Sequence, residues 1–196
     1  MSVSKFNPRT SILLLTVVLM GIVRFVFICD NQLSPLSNFS PLGAMAVFSG
    51  AYFNKDWKAL SFPLLTLLLS DLILSFTVLS QFRDGFLYGG WYWTYSAFIL
   101  MTLSSKWIIK KISLPSVLGA GFLVVLIHWI VTDFGVWLGS TVYAQTVTGY
   151  ILCLVAAIPF ELNLLAGTLL YSALLFGIFE WTKISNVAGR MTKYKA

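Results

Sequence analysis

The chain has 196 residues, 58% of them apolar and only 10% charged, with a formal net charge of +6. An average chain is roughly 45–50% apolar and about 25% charged. Too few charges remain to cover a soluble surface, and the same composition excludes a disordered chain, a disulfide scaffold and a nucleic-acid module. An all-α integral membrane protein of one domain fits, with the basic excess reporting topology rather than an acidic partner.

The first apolar run follows Lys5 and Arg9 and predicts a helix over about 11–30. It has no small-x-small cleavage pattern, Arg24 interrupts it, and bulky Phe27-Ile28 precedes Cys29, so it reads as a retained helix after a cytoplasmic segment 1–10. Pro35 and Pro41 bracket a polar loop, and Pro41 can open a helix because its missing N–H costs nothing in the first turn. That second helix, 41–54, is short for a span. A third is expected at 58–80, with Pro63 near its start. Gly85, Gly89 and Gly90 mark a loop before a fourth at 91–109. Pro115 starts a fifth at 116–138, and a sixth covers 163–182. The stretch 139–162 is expected to be an outer re-entrant or interfacial segment ending at Pro159, tolerated where its backbone is buried or lines a cavity.

Charge counting sets this topology. With six spans and both ends cytoplasmic, every Lys and Arg except Arg24 and Arg83 lies on the inner side. A seventh span would move the basic residues of the tail, 183–196, outside. Asp30, Asp84 and Glu161 then lie at the outer face, and Asp56 and Glu180 at the inner one.

Arg24, Asp71, His128 and Asp133 fall inside predicted helices. A charge at the bilayer centre costs about 2.5–3.5 kcal/mol on insertion scales, so it faces the bundle and has a partner. Two compatible readings are an Arg–Asp pair that fixes packing and a polar floor beneath an outward-open site. Phe86, Tyr88, Trp91, Tyr92, Trp93 and Tyr95 cluster after the glycine-flanked loop, with Trp137, Tyr143 and Tyr150 on the same side. They suit an interfacial aromatic belt or a lid over a flat ligand. Ala46-x-x-x-Gly50 and Ala173-x-x-x-Gly177 have the spacing for close helix packing, favoured within the chain over a partner interface. Cys29 and Cys153 read as small hydrophobes. One histidine and two separated cysteines make no ordinary metal site, and soluble catalytic motifs are missing.

Several strings carry a resemblance: Arg24, Asn38-Phe39-Ser40-Pro41, Leu69-Ser70-Asp71, Thr132-Asp133-Phe134-Gly135, Pro159-Phe160 followed by Asn163, and Leu169-Leu170-Tyr171-Ser172. In order, over about 15–180, they resemble a DUF6580-like bacterial membrane family of unknown function that includes the solitary cobalamin transporters of the BtuM type. That family is similar to the substrate-binding S-components of energy-coupling-factor vitamin transporters. The resemblance implies a six-helix S-component-like bundle in the bacterial inner membrane, with a ligand bound on the outer side. It implies uptake of a small vitamin-like molecule, cobalamin or another corrinoid among them, as substrate rather than resident cofactor. Partners would be the bilayer, that ligand and an energising transporter module, with no nucleic acid. The cobalt-ligating cysteine of characterised relatives has no counterpart in 75–95.

The expected ligand-binding residues are Arg24, Asn38, Phe39, Asp71, Tyr88, Trp91, Tyr92, Tyr95, His128, Asp133, Trp137, Tyr143 and Asn163. No residue is assigned a catalytic or metal role. Two alternatives stand beside uptake: a membrane enzyme using Asp71, Asp133 and His128 as acid–base groups, and a packing subunit of a larger complex.

Overall fold

The computed structural model describes residues 18–19, 21–26, 35–78 and 80–193, of which 182–193 by backbone alone. Helix α1 is helical at 18–19 and 21–26; the rest of the expected first helix, with Cys29 and Asp30, lies outside the described residues. A 3-10 turn, Pro35–Asn38, leads to α2 (Leu42–Tyr52) and α3 (Asp56–Phe76). A second 3-10 turn, Ser80–Phe82, precedes strands β1 (Arg83–Asp84) and β2 (Leu87–Tyr88). Then come α4 (Trp91–Ile108), α5 (Leu114–Gly139) and α6 (Val147–Lys193).

The burial pattern is inverted relative to a soluble bundle. Helix α3 turns Thr66, Ser70 and Asp71 inward and leaves Leu65, Leu69 and Ile73 exposed. Helix α5 exposes Leu118, Phe122, Leu126 and Ile130 at four-residue spacing. Such stripes face outward stably when the surrounding solvent is hydrocarbon. Among the described residues, Asp56–Phe76, Leu114–Gly139 and Val147–Trp181 are long and apolar enough to cross a membrane.

Short α2 sits at the centre. Residues Leu42 to Gly50 are all buried, and the helix packs on α3, α4, α5 and α6. Eleven residues reach about 16 Å at 1.5 Å each, half the hydrocarbon thickness. Protein rather than lipid surrounds it, so its length need not match the bilayer. A Cβ added to Gly50 would lie 2.7 Å from the Thr102 carbonyl oxygen, which is the close α2–α4 approach that Ala46-x-x-x-Gly50 permits. The second motif is not used this way: a Cβ on Gly177 would meet nothing within 4 Å.

The two ends of the bundle differ. At one, Lys106 bonds the Asn54 carbonyl and the Asp56 carboxylate, joining the α2–α3 turn to the end of α4. Tyr52 donates to Glu180 nearby. This is the basic end, with Lys55, Lys58, Lys110 and Lys111 in the same turns. Helix α5 leaves it from a capping box in which Ser113 accepts from the Ser116 backbone at 3.4 Å and Ser116 Oγ accepts from the Ser113 backbone at 3.1 Å. At the other end lies a β1–β2 hairpin, pairing Arg83 with Tyr88 and Asp84 with Leu87, where only a loop is expected from sequence. Its two-residue turn begins at Gly85, whose φ of +71° favours glycine.

Helices α2 to α5 fall within a few residues of their expected bounds. The stretch 139–162 differs. A loop covers 140–146, and then α6 runs without a break through Pro159 and absorbs the expected sixth helix. Side chains tie this half of α6 antiparallel to α5: Tyr150 donates to the Ile130 carbonyl at 2.9 Å, and Trp129 Nε1 to the Leu154 carbonyl at 3.0 Å. Proline forfeits one helical hydrogen bond; an unwound segment facing hydrocarbon would forfeit several. Glu161, expected at the outer face, consequently lies about 21 Å along α6 from Val147 at 1.5 Å per residue, beside the middle of α5.

Candidate ligand-binding site

A cavity of about 280 Å³ occupies the bundle axis toward the hairpin end. Every helix contributes to it: Arg24 from α1, Leu42 from α2, Leu67 from α3, Thr94 and Phe98 from α4, His128 and Thr132 from α5, Leu164 from α6. Ser37, Asn38 and Ser40, from the turn before α2, and Tyr88 of β2 complete it. The walls therefore mix apolar faces with a few directed polar groups, the ordinary make-up of a small-molecule site.

Two buried polar networks hold these walls. In the first, Arg24 Nη2 lies 2.6 Å from Asp71 Oδ1, and Arg24 also donates to Ser70 Oγ. Ser70 and Asp71 are adjacent on α3, so one guanidinium spans both. Tyr95 donates its hydroxyl to Asp71 Oδ2 at 3.2 Å. Asp71 is 1% exposed, and this pairing is what makes a carboxylate tolerable there. Tyr88 sits beside the pair. Burial first, then the Asp71 charge, pushes its phenol above the ordinary value, against a hydrogen bond with Thr94 and the charge of Arg24. Tyr88 thus stays a neutral hydroxyl in the cavity wall.

In the second network, His128 Nδ1 is 2.9 Å from Glu161 Oε1. Phe98 meets the imidazole edge-on at 6.1 Å between centroids. Thr132 donates back to the His128 carbonyl at 2.7 Å. Asp133 is buried, and Cys153 Sγ contacts its backbone carbonyl at 3.7 Å. Asp133 Oδ2 and Glu161 Oε2 have no hydrogen-bond partner among the described residues.

A larger hollow of about 730 Å³ adjoins the cavity and shares Tyr88, Thr94 and Thr132 with it. Asp84, Tyr92 and Trp93 line it from the hairpin and α4, and Gly135 and Gly139 from α5. Gly135 makes room for the Trp93 ring, since a Cβ there would sit 2.3 Å from the indole.

The expected site residues sort by place. Arg24, Asn38, Tyr88 and His128 line the inner cavity, and Tyr92 the outer hollow. Asp71 and Tyr95 stand one layer behind, holding Arg24. Trp91 packs edge-on against Tyr95 at 5.3 Å, and Phe39 lies tilted against Tyr171 at 5.7 Å. Trp137 donates to the Ala144 carbonyl at 2.9 Å, holding the α5–α6 loop in which Tyr143 also lies. Asn163 bonds the Pro159 carbonyl one turn back at 2.8 Å. Neither hollow is lined by Phe39, Asp133, Trp137, Tyr143 or Asn163. The aromatic cluster is therefore divided between wall and packing. Sequence reasoning missed Ser37, Ser40, Thr94 and the role of Glu161; a carboxylate inside a charge-poor run, facing the chain's one histidine, was the available signal.

Among the described residues no group of three or more His, Cys, Asp or Glu side chains could hold a metal ion. No curated protein and no solved structure matches the chain. The match that exists is to a family model covering residues 4–190, nearly the whole length, and the chain belongs to that family of unknown function, DUF6580.

Proposed function

We propose that this protein binds a small vitamin-like molecule in the axial cavity and takes part in its uptake across the bacterial inner membrane. The observation that carries the reading is that all the helices converge on one cavity, which gathers Arg24, Asn38, Tyr88 and His128 in an otherwise apolar bundle. Intramembrane ionisable groups facing a cavity mark ligand or ion pathways. In this reading the chain makes six crossings, with its basic end and both termini in the cytosol and the hairpin end outside. The resemblance to cobalamin transporters and S-components agrees with that orientation. At about 280 Å³ the cavity is at the lower edge of the roughly 300–1,000 Å³ typical of small-ligand sites, which suits a one- or two-ring molecule. A whole corrinoid would have to occupy the outer hollow as well.

The acid–base alternative needs Asp71, Asp133 and His128 around one reacting group, but Asp71 is paired with Arg24 and His128 with Glu161, in separate networks, and neither aspartate lines a hollow. A packing subunit needs no polar cavity. Ligand binding is tested by tryptophan-fluorescence titration of nanodisc-embedded protein with a broad vitamin panel. At least one saturable ligand is expected, bound tenfold or more weakly by Asn38→Ala. Saturation by none of them contradicts the reading.

A further inference from the structure

His128 is the single histidine of the chain, and its two ring nitrogens are placed differently. Nδ1 is spent on Glu161 at 2.9 Å. Nε2 has no hydrogen-bond partner among the described residues, and it is not among the sealed polar atoms that lack one. His128 itself lines the axial cavity. A carboxylate on one ring nitrogen draws the proton there and fixes the tautomer, leaving the other nitrogen as an acceptor.

Arg24 leans the other way: it has no acceptor function, and its charge is already balanced by Asp71 at 2.6 Å. Ser37, Ser40, Tyr88, Thr94 and Thr132 offer hydroxyls, which both donate and accept. Beside these and the amide of Asn38, the wall presents one ring-nitrogen lone pair and one guanidinium whose charge is paired.

We propose that Glu161 holds the proton of His128 on Nδ1, so that Nε2 offers its lone pair to the cavity, and that the site selects a small neutral heterocycle bearing an N–H donor beside a carbonyl acceptor. His128 would contact the ligand, while Glu161 is a positioning residue acting through the ring. The N–H would meet Nε2, and the carbonyl would meet the Arg24 and Tyr88 donors. A site built to bond an N–H discriminates strongly against an analogue lacking it, because the site's own polar atom is then left unpaired. This inference rests on the ligand-binding reading but adds a claim about protonation that can be read without any ligand.

The single histidine makes the test direct. Full-length protein carrying ¹⁵N-histidine, in nanodiscs, gives two imidazole nitrogen signals. The expected spectrum has a one-bond proton coupling on Nδ1 and none on Nε2. Lumazine, a two-ring lactam, is expected to shift the Nε2 signal, and its analogue 1,3-dimethyllumazine, which lacks the N–H donors, to leave it in place. Glu161→Gln is expected to give a mixture of tautomers and to weaken lumazine binding about tenfold at an unchanged fold by circular dichroism. A proton on Nε2 in the wild type overturns the proposal, as does an Nε2 signal that moves with both probes or with neither. The ligand-binding reading is judged separately: a vitamin lacking any N–H or O–H that saturates the protein would sink this inference and leave that reading standing.

Discussion

Arg24 and Asp71 are each tolerable in the bundle because of the other. The guanidinium is 12% exposed and the carboxylate 1%, and Ser70 and Tyr95 complete the hydrogen bonding around them. Removing one partner strands a buried charge, which costs about 3–5 kcal/mol, whereas replacing both with apolar side chains is often nearly neutral. Asp71→Leu is accordingly expected to lower the melting temperature sharply in detergent, and Arg24→Met with Asp71→Leu to recover most of the loss. A double variant as unstable as the sum of the single ones would show that the two side chains act independently. This pair was legible from sequence, since two opposite charges inside apolar runs have few other partners. Glu161 was not. Its contact with His128 depends on the depth of α6, and Pro159, two residues earlier, argued for a chain break at the surface.

At the scale of elements, α2 and α6 depart most from what bilayer thickness alone suggests. Helix α2 is short because its neighbours enclose it, and its glycines set how closely they approach. A Cβ on Gly50 would press on the Lys106 nitrogen and the Thr102 carbonyl oxygen, both at 2.7 Å. Gly50→Ala is therefore expected to destabilise by about 1–3 kcal/mol, and Gly177→Ala, in open space within a helix, to leave stability unchanged or raise it by up to about 1 kcal/mol. Thermal melts of the two variants compare them directly. Helix α6 carries a second expectation. Ile151, Val155 and Ile158 are exposed on its outer surface, while Val142 projects from the loop at 84% exposure. In a background with Cys29→Ser and Cys153→Ala, Val142→Cys should react quickly with a water-soluble maleimide and Val155→Cys should not. Fast labelling at 155 would mean that this stretch lines water. Apolar runs and proline positions located most helix ends, because both report directly on backbone cost. They could not show that a proline is bridged when the alternative is unpaired backbone in hydrocarbon.

For the molecule as a whole, the inverted burial pattern and the axial cavity belong together. Apolar stripes on α3 and α5 face outward, while Arg24 from one polar network and His128 from the other both reach the axial cavity. The membrane class and the gathering of polar groups could be read from composition and from charges within apolar runs. Which of those groups touch the cavity could not, because that depends on helix rotation: Asp133 and His128 share a helix, yet only His128 lines the hollow. The central claim is that this chamber holds a ligand, and filling it tests that claim most directly. Thr94 lies where the inner cavity meets the outer hollow, so Thr94→Trp should plug both. Mass spectrometry of small molecules released from gently purified wild-type and Thr94→Trp protein, each checked for the same melting behaviour, compares an open chamber with a closed one. A single species near one equivalent in the wild type, and its loss in the variant, is the predicted result. An empty wild type, or equal amounts of the same molecule from both proteins, would contradict the account.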